Sequence, residues 1–293
     1  MESLSELSLQ FSQLSMFPLF DAAHYWASVM SAREQPGALD VSKKSPVACW
    51  FSAMLYCFGG GILSSIMLAE PPVTFLSNGT NILMASITWY LVYYFPSDLF
   101  YNFSCIRPIR VIVAALKEVT RTWKILSGVT QAHSRFQDAW LVMITIGWAK
   151  GAGGGLISNF EQLVRGVWKP ESNELLKMSY PVKVSLVGAV LFTLQQTQHL
   201  PLSRNNLMLF YTLFLIATKV QMMLTHSSTS PFQPIEAALC RLLFSCHQAQ
   251  TPVNEKVTTT SADAKGETSK KPVEKLSAKI SKSAQKTEAK KSD

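Results

Sequence analysis

Charge is what this chain has least of. Only 16% of its 293 residues are charged, while 48% are hydrophobic; a soluble domain carries about a quarter charged residues. The shortage is uneven. Sixteen of the charged residues fall in the last 44 positions, so the first 249 carry 30, about 12%. A body this long and this poor in charge excludes an ordinary soluble enzyme, a disordered chain and a collagen. Cysteine is scarce too. There are five, an odd number with no CxxC pair, which excludes a disulfide scaffold. Cys49, Cys57 and Cys105 lie in or near apolar runs and read as buried free thiols. HExxH, Walker-loop and GxSxG motifs are all missing. The histidines His24, His133, His199, His226 and His247 are scattered, and Cys246-His247 is an isolated pair, so no zinc cluster and no catalytic residue is expected. No basic region precedes the first apolar stretch, so the first span is expected to insert without a cleaved leader. No nucleic-acid partner is expected.

Long apolar runs are what is present. About 20 mostly apolar residues cross a bilayer as a helix. Seven candidate spans appear: Phe17–Ser31, Val47–Ala69, Ile82–Tyr101, Ser104–Trp123, Ala139–Phe160, Val182–Gln198 and Leu207–Thr225. Asp21 and His24 interrupt the first, and Pro96 ends or kinks the third. The loops after spans one, three and five carry Arg33, Lys43, Lys44, Arg107, Arg110, Arg165, Lys169 and Lys177. The other side carries only Arg121, Lys124, Arg135 and Arg204. This asymmetry places the N-terminus in the lumen and, with seven spans, the C-terminus in the cytosol. Lys290 and Lys291 then stand third and fourth from a cytosolic end, where they fit a dilysine retrieval signal to the endoplasmic reticulum. Asn78-Gly79-Thr80 is a luminal glycosylation sequon close to the membrane; Asn102-Phe103-Ser104 is cytosolic and inert.

The glycines organise the body. Gly59, Gly60 and Gly61 lie in span two; Gly151, Gly153, Gly154 and Gly155 lie in span five. Each cluster is in the middle span of a group of three. Two odd-numbered groups in series must sit in opposite orientations. The expected fold class is therefore all-α: a polytopic membrane protein with seven transmembrane helices, in two inverted three-helix repeats plus a seventh helix. The boundaries are a luminal N-terminus at 1–16, a first repeat at 17–101, a second at 104–198, a seventh helix at 207–225 and a cytosolic lysine-rich, mostly disordered tail at 226–293. Glycine-interrupted helices at matching positions point to a transport pathway; close small-residue packing is the competing reading. The tail has ten lysines from position 250 onward and is read as solvated, with attraction to an anionic leaflet as the other option.

Span four is the polar one. It carries Arg107, Arg110, Lys117, Glu118, Arg121 and Lys124. At ~100° per residue the five basic groups fall in a sector about 100° wide. Lipid tails cannot solvate such a face, and three readings stand: snorkelling at the helix ends, a voltage-sensing stripe, and a phosphate site at Lys117 and Arg121, one turn apart. Lys150, before the second glycine cluster, either lines the pathway or pairs with a carboxylate on another span. Glu70-Pro71-Pro72 marks a luminal turn.

The octapeptide Lys117-Glu118-Val119-Thr120-Arg121-Thr122-Trp123-Lys124 resembles the KEVxRxxK signature of the trimeric intracellular cation (TRIC) channels. The two glycine clusters, seven spans and a luminal N-terminus are similar as well. The resemblance covers about residues 1–250, and within the family it is to the type A branch of muscle sarcoplasmic reticulum. It implies a homotrimer with one pore per protomer and no classical cofactor. It implies a potassium conductance that balances charge during calcium release, with functional coupling to calcium-release channels. It places phosphatidylinositol 4,5-bisphosphate on Lys117 and Arg121 and makes luminal calcium an inhibitor with unknown metal ligands; Lys117, Glu118, Lys124 and Lys150, as charged groups within spans, are the gating candidates. The rival readings are a secondary transporter with inverted repeats and a seven-helix receptor.

Overall fold

The computed structural model describes residues 2–168, 170 and 178–225, all within one compact unit, Met1–Leu239. Every regular element among them is helical. In chain order these are α1 (Glu2–Ser12), α2 (Leu19–Arg33), α3 (Ala38–Lys44), α4 (Pro46–Met67), α5 (Gly79–Tyr94), α6 (Leu99–Cys105), α7 (Arg107–Arg135), α8 (Trp140–Val164), α9 (Tyr180–Gln196) and α10 (Arg204–Thr225), with short 3-10 turns at Pro72–Ser77 and Pro96–Asp98. The chain is an all-α polytopic membrane protein. Seven of these helices are 15 residues or longer, one for each expected span.

Local chemistry sets the helix ends. The Ser45 hydroxyl accepts from the Ala48 amide at the start of α4, and Pro46 fills a first-turn position whose N–H would otherwise lack a partner. Asn78 starts α5 in the same way, accepting from the Asn81 amide at 3.2 Å. Phe95, held extended by the proline after it, stops α5 at Tyr94. The third span therefore ends seven residues before the expected Tyr101. A bend of 70° separates Pro96–Cys105 from α7. Helix α7 then runs 29 residues to Arg135, well past the expected end at Trp123. Among the described residues only α4, α8 and α10 are long and apolar enough to cross a membrane by length and composition, or four spans if the bent pair counts as one. Helices α2, α5 and α9, at 15, 16 and 17 residues, fall short of the usual length, and α7 is too charged to pass. Residues 1–16, taken from the sequence simply as a luminal terminus, contain helix α1, which packs on α10; Phe11 meets Trp123 of α7 edge-on at 4.8 Å.

The core divides as the glycine pattern divides the sequence. One cluster joins Tyr25 and Val29 of α2 to Ala53 and Met54 of α4 and to Ala85 and Val92 of α5. The other joins Ile125 and Val129 of α7, Met143 and Ile146 of α8, Val184 and Phe192 of α9, and Tyr211 and Leu215 of α10. Equivalent helices run in opposite directions. Ser28 and His24 of α2 meet Lys117 and Lys124 of α7, so one number rises as the other falls. Ser52 of α4 meets Glu161 of α8, while Gly60 meets Lys150. Two inverted triplets, α2–α4–α5 and α7–α8–α9, thus face one another, and α10 joins the second.

The glycine clusters do not break their helices. Both α4 and α8 run uninterrupted through them, which corrects the expected breaks at Gly59–Gly61 and Gly151–Gly155. The glycines instead let two backbones touch. A β-carbon on Gly60 would overlap the Lys150 carbonyl oxygen, and one on Gly153 would overlap the Gly60 backbone. One on Gly59 would stand 2.9 Å from the Gly153 carbonyl oxygen. The small-residue packing reading holds at this crossing. Gly61 differs: nothing lies within 4 Å of where its β-carbon would be.

Candidate functional site

Between the triplets lies a cavity of about 210 Å³. Helix α2 contributes Ser28 and Ser31, α4 contributes Tyr56, α7 contributes Lys117, Arg121 and Lys124, and α8 contributes Gly154 and Ser158. A second hollow of about 280 Å³ lies behind Lys117 and Arg121, with Glu34, Arg110 and Lys219 on its rim. Lys117 and Arg121 line both spaces, so the basic stripe of α7 forms the wall between them.

The stripe is not uniform. Arg107 is exposed, and Arg110, half exposed, pairs with Glu34 at 2.9 Å. These suit the snorkelling reading. Lys117 donates to the Ser28 hydroxyl at 3.2 Å. Arg121 is fixed from several sides. Its Nε donates to Glu118 Oε2 at 2.6 Å and its Nη2 to Oε1 at 3.2 Å. Its Nη1 lies 3.3 Å from the Gly151 carbonyl oxygen and 3.2 Å from both the Pro181 carbonyl and the Ser185 hydroxyl. The two side chains are 7% and 2% exposed. A charge pair so far from water holds only with its remaining donors also occupied, and α8 and α9 supply those acceptors. Arg121 thereby fastens α7 to α8 and α9, the other two helices of its triplet, at the level of the second glycine cluster. The i,i+3 spacing of Glu118 and Arg121 was the sequence signal for this pair.

Lys124 reaches across to the first triplet, its Nζ 2.6 Å from His24 Nε2. Lys150 donates to Ser127 at 3.1 Å and to the Gln131 amide oxygen at 2.8 Å. The Gln131 amide nitrogen in turn donates to both carboxylate oxygens of Glu70 at 3.2 Å, and Glu70 pairs with Arg135 at 2.6 Å. Lys150 thus meets a carboxylate only at second hand, through an amide no sequence pattern singled out. Lys219 stands 5.9 Å from the centre of the Tyr180 ring. The Tyr56 hydroxyl is buried beside the cavity without a hydrogen-bond partner among the described residues. An unpaired buried hydroxyl is costly unless water or an ion reaches it. Tyr56→Phe is therefore expected to leave thermal stability unchanged or raised, as read by a melting curve of the purified protein.

Among the described residues no three His, Cys, Asp or Glu side chains are grouped to hold a metal ion. Lys169, Lys177, His226, Cys240, Cys246, His247, Lys290 and Lys291 lie outside the described residues, as does the tail from 226.

A family model described as TRIC channel matches residues 35–226. The chain is 70% identical over 282 residues to trimeric intracellular cation channel type B-A of Xenopus laevis, covering 96% of this chain and 99% of that one. It is 51% identical over 278 residues to the human type B channel, covering 94% and 96%. A solved structure, presented as the structural basis for activity of TRIC counter-ion channels in calcium release, superposes with a TM-score of 0.74 at 75% identity; it covers 76% of this chain and the whole of that one. The expected kinship with type A is corrected, because these relatives carry the type B name. Its members are ion channels, not enzymes, and this chain belongs to the TRIC channel family.

Proposed function

We propose that the protein is a homotrimeric, potassium-conducting channel of the endoplasmic or sarcoplasmic reticulum membrane. It supplies counter-ion current during calcium release, in functional partnership with calcium-release channels. Each protomer carries its own path between the inverted triplets. The observation that carries this reading is the hydroxyl-lined cavity between α2, α4, α7 and α8, with Lys117 and Arg121 in its wall. Serine and tyrosine oxygens offer a partly dehydrated cation replacement ligands, while the fixed positive charges need an offsetting anion. The phosphates of phosphatidylinositol 4,5-bisphosphate supply it, held by Lys117 and by the one Nη2 hydrogen of Arg121 left uncommitted. Lys117 and Lys124 on α7 and Lys150 on α8 answer voltage, and Glu118 anchors α7. The luminal end, where Glu70 lies 22% exposed, is where luminal calcium inhibits. The N-terminus is luminal and the C-terminus cytosolic, with Lys290 and Lys291 as retrieval signal.

Planar-bilayer recording with asymmetric potassium, sodium and calcium tests the conductance. Unitary steps reversing near the potassium equilibrium potential are expected; saturable flux without steps would favour a secondary transporter. For the lipid, Lys117→Ala with Arg121→Ala is expected to abolish inositol-lipid retention after purification and to lower open probability. Lys117→Ala alone, which leaves the Arg121–Glu118 pair intact, separates lost binding from lost folding. Full retention in that single variant would reject the assignment.

A further inference from the structure

The two ends of the cavity differ in chemistry. Along α2 and the turn after it, the wall is made in order by His24, Ser28, Ser31 and Gln35. Lys124 stands at the level of His24 and Lys117 at the level of Ser28, so the basic groups of α7 occupy one half. Toward Gln35 the wall is neutral. Ser31 lies there on α2 and Ser158 on α8, one turn before Gln162, with Tyr56 of α4 nearby.

The Gln35 end also joins the two triplets. Gln162 donates from Nε2 to Gln35 Oε1 at 3.1 Å. Around this pair the charged groups are already spent. Glu161 Oε1 accepts from Ser52 at 2.7 Å, and its Oε2 accepts from Arg165 Nη2 at 2.9 Å. Arg165 Nη1 donates to the Pro36 carbonyl oxygen at 2.9 Å. Glu34 pairs with Arg110. Arg165 thus grips the residue after Gln35 and the residue before Gln162, which sets the two amides against each other. Among the described residues Gln35 Oε1 accepts that one bond, and an amide oxygen has two lone pairs. The buried Tyr56 hydroxyl has no partner among them either. Oxygen capacity is therefore left over where fixed charge is not.

We infer that Gln35 and Gln162 form an uncharged amide collar at one mouth of each protomer's path, the cytosolic mouth in the proposed topology, which a cation crosses on amide and hydroxyl oxygens. This rests on the proposed route through the cavity. A free carboxylate at this point would hold the ion or turn to Arg165, whereas amide dipoles bind it weakly enough to release it. The basic wall beyond favours anions, so the collar is where the path selects for cations.

Charge placed at the collar of the full-length trimer provides the test. Gln35→Glu, Gln35→Lys, Gln162→Glu and Gln162→Lys are each checked to elute as trimers; two positions are used so that failed assembly at one leaves the other. Unitary current is recorded in planar bilayers in about 10 mM potassium, where screening extends over about 30 Å. One unit charge at a water-filled mouth then changes local cation occupancy about twofold. Both glutamates are expected to raise the current about twofold, most for cations entering from the cytosolic side, and both lysines to lower it about as much. In about 1 M salt, where screening acts within about 3 Å, all four are expected to approach the wild type. A tie that only holds the triplets together would give losses independent of charge sign and of salt. Current unaffected at both positions, or equal losses for glutamate and lysine, overturns the collar. Ser31→Cys, treated with a cationic thiol reagent beside the unsubstituted channel, separates the two failures. If it is blocked while the collar charges have no effect, the inference falls and the route stands; if it is not blocked, the cavity is not on the conduction path and both fall.

Discussion

Gly153→Ala is expected to be among the most damaging single-methyl changes in this chain. Its β-carbon would fall on the backbone of Gly60, and backbone cannot swing aside as a side chain can. Helices α4 and α8 would have to separate along the crossing that joins the two triplets. Overpacking a tight contact costs about 1–3 kcal/mol when side chains can yield, and here they cannot, so the loss should lie at or above the top of that range. Gly60→Ala meets the Lys150 carbonyl and should behave alike. Gly61→Ala is the internal control. It adds the same methyl, one residue along the same helix, into open space, and alanine favours a helix by about 1 kcal/mol over glycine. Melting curves of the three purified variants are expected to show large losses for Gly60→Ala and Gly153→Ala and none for Gly61→Ala. Equal tolerance of all three would mean that the crossing does not hold the triplets together.

Arg121→Ala is expected to be comparably severe. It leaves the Glu118 carboxylate buried with no counter-charge and strips three acceptors on α8 and α9 of their donor. Removing one partner of a buried pair costs about 3–5 kcal/mol. Glu118→Ala strands the guanidinium in the same way. The double replacement Glu118→Leu with Arg121→Met removes both charges and is expected to recover much of either loss, because two apolar side chains leave no unpaired charge. The wild type, Glu118→Leu, Arg121→Met and the double replacement form the cycle whose thermal stabilities measure the coupling. Additive losses would show that the pair does not hold α7 in place.

These two results rest on features legible to different degrees in the sequence. The basic face of α7 was legible because helical periodicity is rigid: residues three, four and seven apart share a face wherever the helix lies. The glycine clusters correctly marked the second helix of each triplet. Their consequence was misread, because glycine both loosens a helix and lets another backbone approach, and only the neighbour decides between them. That neighbour is remote in sequence: Lys150 for Gly60, and Gly60 for Gly153. The Phe95–Pro96 break was half legible, since proline forecasts a stop or a kink but not where the next helix resumes. Helix α1 left no clear mark, its chain being neither long nor apolar enough to read as a span. His24 was visible only as a polar interruption of a short span. Its partners are Lys124, 100 residues away, and the Cys57 carbonyl on a third helix. The branch within the family could not be read from the signature alone.

One measurement bears most directly on the central claim that each protomer holds a separate path between its own inverted triplets. Three copies of the chain are joined in one polypeptide, each junction carrying one added transmembrane helix that returns the chain from the cytosolic C-terminus to the lumen, and Ser158→Cys is placed in none, one, two or all three. Ser158 lines the cavity within the protomer. A bulky cationic thiol reagent is then applied during potassium recording, with the unsubstituted concatemer as control. Three independent paths predict that total current falls by one third for each substituted copy. Complete block by a single copy, or no block by three, would contradict the account.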